Sequence, residues 1–148
     1  MNFTKQILSV STLALAMAAV PAFAAHTIEA ASEPAYNLAT TTKVDGVVTA
    51  VRQVAAGNPM PGVHLTVKTR TNTVDVYLAP ADFLKFLRVN MSAGAQIEAI
   101  GSLVKVNNAE VLMTRDFDDG FVQISLRDAK GAAAWQNWGQ EIDPALVQ

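Results

Sequence analysis

The sequence predicts an all-β fold, an OB-like barrel of five to six strands with one short helix between the third and fourth strands. The first observation behind this prediction is a series of short β-branched segments, separated by turn residues, across residues 43–131. The second is a lone segment of helical periodicity in the middle of that series. A simple meander gives no reason for a helix at that point, whereas a helix closes the open end of a small barrel.

Residues 1–24 have the features of a signal peptide. They contain a single charge at Lys5, an apolar run, and the small-x-small pattern Ala22-Phe23-Ala24 that a signal peptidase recognises. The alternative, an uncleaved membrane anchor, is disfavoured because a spanning helix needs about 20 apolar residues. We therefore expect cleavage after Ala24 and a secreted, periplasmic protein without a membrane span.

Composition excludes several functions. The chain has no cysteine, so it has no disulfide, no thiolate metal ligand, no thiol nucleophile and no lipoprotein anchor. Its 11 Lys and Arg residues face 13 Asp and Glu residues, which gives a net charge of −2. A mildly acidic chain lacks the clustered positive charge that binds phosphate backbones, so nucleic acid is an unfavoured partner.

The barrel domain is predicted to begin at Lys43, after a flexible leader at residues 25–42. The first strand is long, and its apolar pattern changes phase, which indicates a β-bulge or a glycine bend. Its predicted buried positions are Val44, Gly46, Val48, Val51 and Val54.

Residues 62–79 give the clearest pattern, a hairpin with one apolar and one polar face around a turn at Arg70-Thr71. A slip of one residue would expose the whole apolar row, so the register is well determined. The predicted inward pairs are Val67 with Val74, Leu65 with Val76, and Val63 with Leu78. The predicted solvated pairs are Lys68 with Thr73, Thr66 with Asp75, and His64 with Tyr77.

The next segment is predicted to be the helix, with Pro80 in its first turn. Its apolar stripe of Phe83, Phe86 and Leu87 is expected to plug the barrel end. Two or three further strands follow, with turns at Asn107-Asn108 and at 118–120. A C-terminal tail is expected over residues 132–148.

This order of elements indicates the OB architecture, a five-stranded and partly open barrel. Residues 43–135 carry the segments VDGVVTAV, VDVYLAPADFL, GAQIEAIGSLVKV, EVLMTRDF and VQISLRDAKGAAAW. These segments resemble small exported proteins of the periplasmic bacterial OB-fold family. The resemblance implies a binding module without enzymatic activity, in a family where many ligands are unknown.

The candidate ligand site is the polar face of the hairpin, since OB folds bind on strands 2 and 3. A face with an aromatic ring and charges of both signs suits a small or extended polar ligand. The alternative is a solvated cluster of cross-strand pairs, each contributing about 0.2–1 kcal/mol. The candidate residues are His64, Thr66, Lys68, Arg70, Asp75 and Tyr77.

Catalytic and cofactor chemistry find little support, so we expect no enzymatic activity, no cofactor and no metal. Zinc needs three or four ligands, and only one imidazole and one carboxylate meet on the hairpin. Asp116, Asp118 and Asp119 could offer oxygens to calcium but lack EF-hand spacing. Ser125 has no second imidazole that could orient a base.

Trp135 and Trp138 leave two interpretations open. They could pack back onto the barrel, or they could form an exposed anchor that docks an envelope protein, because Trp is enriched at binding hot spots. The sequence thus carries three candidate functions. These are a periplasmic binding module, an envelope interaction or stress protein docking through its tail, and, disfavoured by charge and export, a single-stranded nucleic-acid-binding protein.

Overall fold

The computed structural model describes residues 33–138. The predicted signal peptide and the end of the tail lie outside these residues. A 3₁₀ turn at Leu38–Thr40 precedes six strands and one helix. The strands are β1 Thr41–Val54, β2 Gly62–Lys68, β3 Thr73–Tyr77, β4 Gln96–Val106, β5 Ala109–Asp118 and β6 Gln123–Ser125, and the helix, α1 Ala81–Phe86, lies between β3 and β4.

Five of the strands close into a barrel. The sheet order is β3-β2-β1-β4-β5-β6, and a parallel pairing of β3 with β5 joins the two ends of the five-strand segment. The remaining strand, β6, extends the sheet from β5. The prediction of a small all-β barrel with one short helix between the third and fourth strands is therefore confirmed.

The long first strand bends, and it pairs with β4 along its first half and with β2 along its second half. Its register against β2 shifts between Val48 and Ala50, which confirms the predicted irregularity. At Gly46 a Cβ atom would lie 2.3 Å from the Lys68 carbonyl oxygen, so only glycine fits there. The expectation that Val51 is buried is wrong: β1 pairs with β4 only as far as Val47, and the exposed Val51 lies beyond that pairing.

The β2–β3 hairpin has the predicted register. Leu65 pairs with Val76 and Val67 with Val74, while the polar pairs fall on the opposite face. The inward side chains fill the core together with residues from every other barrel strand and from the helix. Leu65, Val67, Val76 and Leu78 are fully buried, and Val63 and Val74 are partly buried against them.

The helix is buried through a different stripe from the one predicted. Phe83 and Leu84 enter the core, whereas Phe86 is 65% exposed. The prediction that Phe86 plugs the barrel end is therefore wrong. The helix has only six residues, and Arg88, with φ 58°, turns the chain so that Val89 returns to the core beside Leu84. Val89 is buried in the core, whereas Phe86 at the end of the helix is not.

Candidate ligand-binding site

The base of the hairpin, which we define by the pair His64 and Tyr77, is covered on its outer face. The exposed fraction is 4% for His64 and 1% for Tyr77, so the prediction that this pair is solvated is wrong. Met60, from the loop between β1 and β2, packs on this face and is fully buried, and Trp135 closes over it from the C-terminal segment. The Tyr77 hydroxyl donates to the Pro61 carbonyl at 3.2 Å.

Both nitrogens of the His64 ring meet acceptors. Nδ1 lies 3.0 Å from Asp75 Oδ1, and Nε2 lies 2.8 Å from the Met60 carbonyl oxygen. A carboxylate and a carbonyl are both acceptors, so an acceptor faces the ring at each nitrogen. The second carboxylate oxygen of Asp75 accepts from Arg52 Nη2 at 2.8 Å.

Asp75 is therefore held between the His64 ring and the Arg52 guanidinium. Partial burial by itself raises the pKa of this carboxyl, but hydrogen bonding and positive charge from His64, joined by Arg52, outweigh that effect. The net result is a pKa of Asp75 below its ordinary value. The polar side-chain atoms of His64 and Asp75 are therefore occupied by hydrogen bonds within the protein.

Two segments that are distant in sequence, one at Glu33 and one at residues 127–135, pack together over the hairpin base. The buried Arg127 guanidinium bonds the Gly131 carbonyl at 3.1 Å and the Glu33 carboxylate, and it lies 4.8 Å from the Trp135 ring. Trp135 in turn stands edge-on to Tyr77, with 6.2 Å between ring centroids. Burial, reinforced by the negative charge of Glu33 and partly offset by Arg127, raises the pKa of the Tyr77 hydroxyl, which stays neutral.

Residues 33–42, predicted as part of the leader, thus contribute specific contacts to the barrel. Besides Glu33, the Asn37 amide donates to Ser102 Oγ at 3.0 Å, and Thr40 Oγ1 lies 2.9 Å from the same atom.

The opposite end of the hairpin, its tip at Thr69–Asn72, borders an open groove of about 780 Å³, which we call the tip groove. Its floor is apolar and its walls are polar, with charges of both signs. The floor consists of Val44, Val74 and Leu103, and the walls are formed by Thr42, Lys43, Asp45, the tip with Thr73, Gln96 and Glu110.

Local hydrogen bonds hold the hairpin tip in one shape. Thr69 Oγ1 accepts from the amides of Thr71 and Asn72 at 3.2 and 3.1 Å and donates toward Asn72. The Thr69 amide also donates to the Asn72 carbonyl at 2.9 Å. Arg70 therefore projects from a turn whose shape is held by hydrogen bonds.

Two charges of the tip groove have no ionic partner within residues 33–138. Lys43 Nζ lies 2.6 Å from Glu98 and 3.7 Å from Asp45, and the hydrogen bond to Glu98 is the main reason that its pKa is raised. Arg70 and Glu110, in contrast, form no ion pair in the part of the chain that the structure describes. The groove thus offers one cation and one carboxylate that are not neutralised by the protein.

The six predicted site residues do not stay together. Arg70 lines the tip groove, whereas the exposed Lys68 and the half-buried Thr66 lie on the outer face beside it. His64, Asp75 and Tyr77 belong to the hairpin base. The prediction missed Lys43, Asp45 and Glu110, because strands distant in sequence bring them to the groove and no local pattern marks them.

The two tryptophans have different environments. Trp135 is half-buried, with its ring centroid 5.6 Å from that of Phe83. Trp138 is 39% exposed, and its ring lies 5.7 Å from Phe83 and 5.8 Å from Phe86. Trp135 therefore packs back onto the barrel, while Trp138 and Phe86 form an exposed aromatic pair.

The acidic residues near the β5–β6 turn serve the turn itself. Asp118 accepts from the Gly120 amide at 2.7 Å, and Asp119 accepts from two further amides of the turn. Asp116 bonds Arg115 and Ser125, each at 2.8 Å. Across residues 33–138, no three side chains that ligate metals come together as a metal site.

The fold and the groove together define a small β-barrel with an open groove, lined largely by polar residues, at one end. Residues 40–120 match the model of the MamS/MamX magnetosome protein family, and the chain belongs to this family. Comparison with curated proteins found no match. Membership of this family suggests an exported or membrane-associated protein. In the described range 33–138, no helix is long and apolar enough to cross a membrane.

Proposed function

We propose that this protein is a non-catalytic, extracytoplasmic binding module that holds a polar ligand in the tip groove. The observation that carries the proposal is the pair of unneutralised charges, Arg70 and Glu110, on the walls of a groove with an apolar floor. A ligand that presents an anionic or acceptor group to Arg70 and a cationic or donor group to Glu110 would satisfy both.

We further propose that the barrel is of the OB type. A closed barrel in which β1 pairs with β2 and β4, β3 pairs with β5, and a helix separates β3 from β4 supports this assignment. The placement of the ligand differs from our expectation for the fold, because the hairpin base on strands 2 and 3 is covered by the chain's own segments. The accessible part of the hairpin is its tip.

Charge supports a neutral or zwitterionic ligand over a polyanion. The carboxylates of Asp45 and Glu110 line the groove beside Lys43 and Arg70, so the groove has no excess of positive charge. A nucleic-acid backbone would meet repulsion from both carboxylates, and OB domains that bind single strands use basic grooves with several stacking aromatics.

We also propose that the protein has no catalytic activity, because His64 is not available as a general base. The ring of this histidine is buried, and both of its nitrogens are engaged by Asp75 and Met60. A general base needs a free nitrogen within reach of the substrate, which this arrangement does not offer.

For location, we propose that the chain is exported through the predicted signal peptide and acts in the periplasm or at the magnetosome. The family description names magnetosome proteins, and the sequence pattern at residues 1–24 favours export. Intact-mass analysis of the extracytoplasmic fraction tests this. A product that begins at Ala25 supports the proposal, and a full-length chain retained in the cytoplasm contradicts it.

The groove assignment is tested by a thermal-shift screen of free amino acids, betaines and oligosaccharides, followed by two matched variants. Arg70→Ala removes a cation that lines the groove, and Lys68→Ala removes an exposed cation two positions away, outside the groove lining. We expect Arg70→Ala to weaken a hit about tenfold, as loss of a charge-assisted hydrogen bond does, and Lys68→Ala to leave it nearly unchanged. Equal effects of the two variants would contradict the groove assignment.

A second candidate function, docking of an envelope protein through the C-terminal segment, is favoured by the exposed pair Phe86 and Trp138. Lys85 is paired with Asp82 at 3.5 Å, whereas the exposed Arg88, two positions from Phe86, forms no ion pair within residues 33–138, so the aromatic pair fits an apolar pocket with an acidic group at its rim. A double change of Phe86 and Trp138 to Ser should then abolish capture of the partner, while Arg70→Ala should leave it intact.

A further inference from the structure

The first strand of the barrel has a free edge at the tip groove. Its segment Thr41–Val47 pairs with β4, and its segment Val47–Val54 pairs with β2. Residues 41–46 are therefore paired on one side only within the described chain, because β2 ends at Lys68 and turns back at the hairpin tip. An unpaired strand edge presents backbone donors and acceptors at the spacing of a β-ladder.

The groove lining confirms that it is the edge of β1 that faces the groove. Four consecutive residues of the strand, 42–45, line it. Successive side chains of a strand point to opposite faces of the sheet, so a surface that meets only one face would touch alternate residues. Contact with four in succession means that the groove runs along the backbone.

The direction of the free groups follows from the ladder with β4. The Val48 amide donates to the Ala95 carbonyl at 2.9 Å, and the Val48 carbonyl accepts from the Gly94 amide at 2.7 Å. In an antiparallel pair, alternate residues bond to the same neighbour. Val44 and Gly46 therefore bond toward β4, and the N–H and C=O groups of Lys43 and Asp45 point toward the groove.

We propose that the ligand of the tip groove is an extended polypeptide segment of a partner protein, which adds a strand to the free edge of β1. The proposal rests on the groove being the binding site, as proposed above, and identifies the ligand class. Strand addition uses main-chain hydrogen bonds for affinity and shallow pockets for alternate side chains. Here the free groups of Lys43 and Asp45 supply the hydrogen bonds, and the floor at Val44, Val74 and Leu103 receives every second side chain.

The spacing of these groups favours a peptide over a sugar or a free amino acid. Lys43 and Asp45 are two residues apart, which separates their outward groups by about 6.6 Å along the strand. A second strand repeats donors and acceptors at that interval. Six residues with one free edge accommodate a partner segment of roughly 20 Å. Arg70 and Glu110 then select the charges that flank the segment.

The experiment screens a phage-displayed library of random 12-residue peptides against the full chain and measures the affinity of the selected peptides for two variants. Asp45→Pro removes the backbone donor that faces the groove, and proline is tolerated at strand edges whose N–H has no partner. Asp45→Ala is the matched control, because it removes the same exposed side chain and keeps the donor. Circular dichroism and the melting temperature check that both variants fold.

We expect peptides with alternating apolar residues and an affinity for Asp45→Pro that is about tenfold or more below that for Asp45→Ala, because both variants lack the same side chain and only the proline lacks the backbone donor. Peptides that bind both variants equally, or no selected peptide, would overturn strand addition. Should Asp45→Pro fail to fold, hydrogen exchange of the backbone amides of the unmodified chain, with and without peptide, tests strand addition instead. A bound peptide must slow exchange at Lys43 and Asp45, and unchanged exchange there overturns the proposal.

The outcome also separates this inference from the function on which it rests. A small zwitterion whose binding depends on Arg70, together with no peptide binding, would keep the tip groove as a site and overturn the peptide as its ligand. Peptides and small molecules that are both insensitive to Arg70→Ala would overturn the groove itself.

Discussion

The two ends of one hairpin have opposite environments. At the hairpin base, His64 and Tyr77 are buried under Met60 and Trp135, and the polar atoms of His64 bond within the protein. At the hairpin tip, Arg70 stands on an organised turn beside an open groove. The same alternation of apolar and polar residues runs through both ends, so the alternation does not decide which end stays exposed.

The difference arises from what covers each end. Segments near the two ends of the described chain meet at Arg127, which bonds Glu33 and stacks on Trp135, and they close over the hairpin base. The hairpin tip has no such cover within residues 33–138. A polar face on a barrel is thus accessible to a ligand only where the rest of the chain leaves it open.

The largest expected effect is the loss of packing at the hairpin base. Tyr77→Ala should lower the free energy of unfolding by about 3–5 kcal/mol, because it leaves a cavity among His64, Met60 and Trp135. Thr71→Ala, at the exposed tip, should change it by less than about 0.5 kcal/mol. Urea denaturation measures both, and similar losses would erase the distinction between the two ends.

A smaller effect concerns the charge at the hairpin base. Asp75→Asn should cost about 1–3 kcal/mol at neutral pH, since it replaces a charged acceptor shared by His64 and Arg52. Because the fold lowers the pKa of Asp75 below its ordinary value of 3.8, its contribution is fully present above that value and is lost as the pH falls through the lowered pKa.

The stability gap between the unmodified chain and Asp75→Asn should therefore narrow on acidification below pH 3.8. Urea denaturation at a series of pH values measures that gap. Parallel curves across the series would show that Asp75 does not titrate as the geometry requires.

The smallest effect is expected at Phe86. Phe86→Ala should lower the free energy of unfolding by less than about 1 kcal/mol, because the side chain is largely exposed and contacts mainly Trp138. Phe83→Ala is the matched comparison, since Phe83 is buried and touches both tryptophans, and it should cost about 3–5 kcal/mol. Equal losses would mean that Phe86 plugs the barrel after all.

The sequence predicts the local parts of the fold and misses the parts that distant segments create. The hairpin register follows from alternation, since a slip would expose Val67 and Val76 together. Which side chains α1 buries depends on where its single turn ends, and the periodicity of so few residues does not determine this. The cover on the hairpin base comes from segments without a regular apolar pattern. One of them contains Glu33 and lies within residues 25–42, whose composition predicts a flexible leader.

The candidate site divides in the same way. Arg70 is predicted because it stands at the turn of a recognisable hairpin. Glu110 reaches the tip groove through the parallel pairing of β3 with β5, which joins strands separated by the helix and by β4. No local signal marks such a residue, so the opposite wall of the groove emerges only with the closed barrel.

We propose that ligands bind at the hairpin tip and not at the hairpin base. Amide chemical-shift mapping of the isotope-labelled chain, titrated with a peptide or small molecule selected in the screens, distinguishes the two ends. We expect the largest shifts on residues 42–45 and 69–74, with little change at His64 and Tyr77. Shifts centred on His64 and Tyr77, or on Phe86 and Trp138, would contradict it.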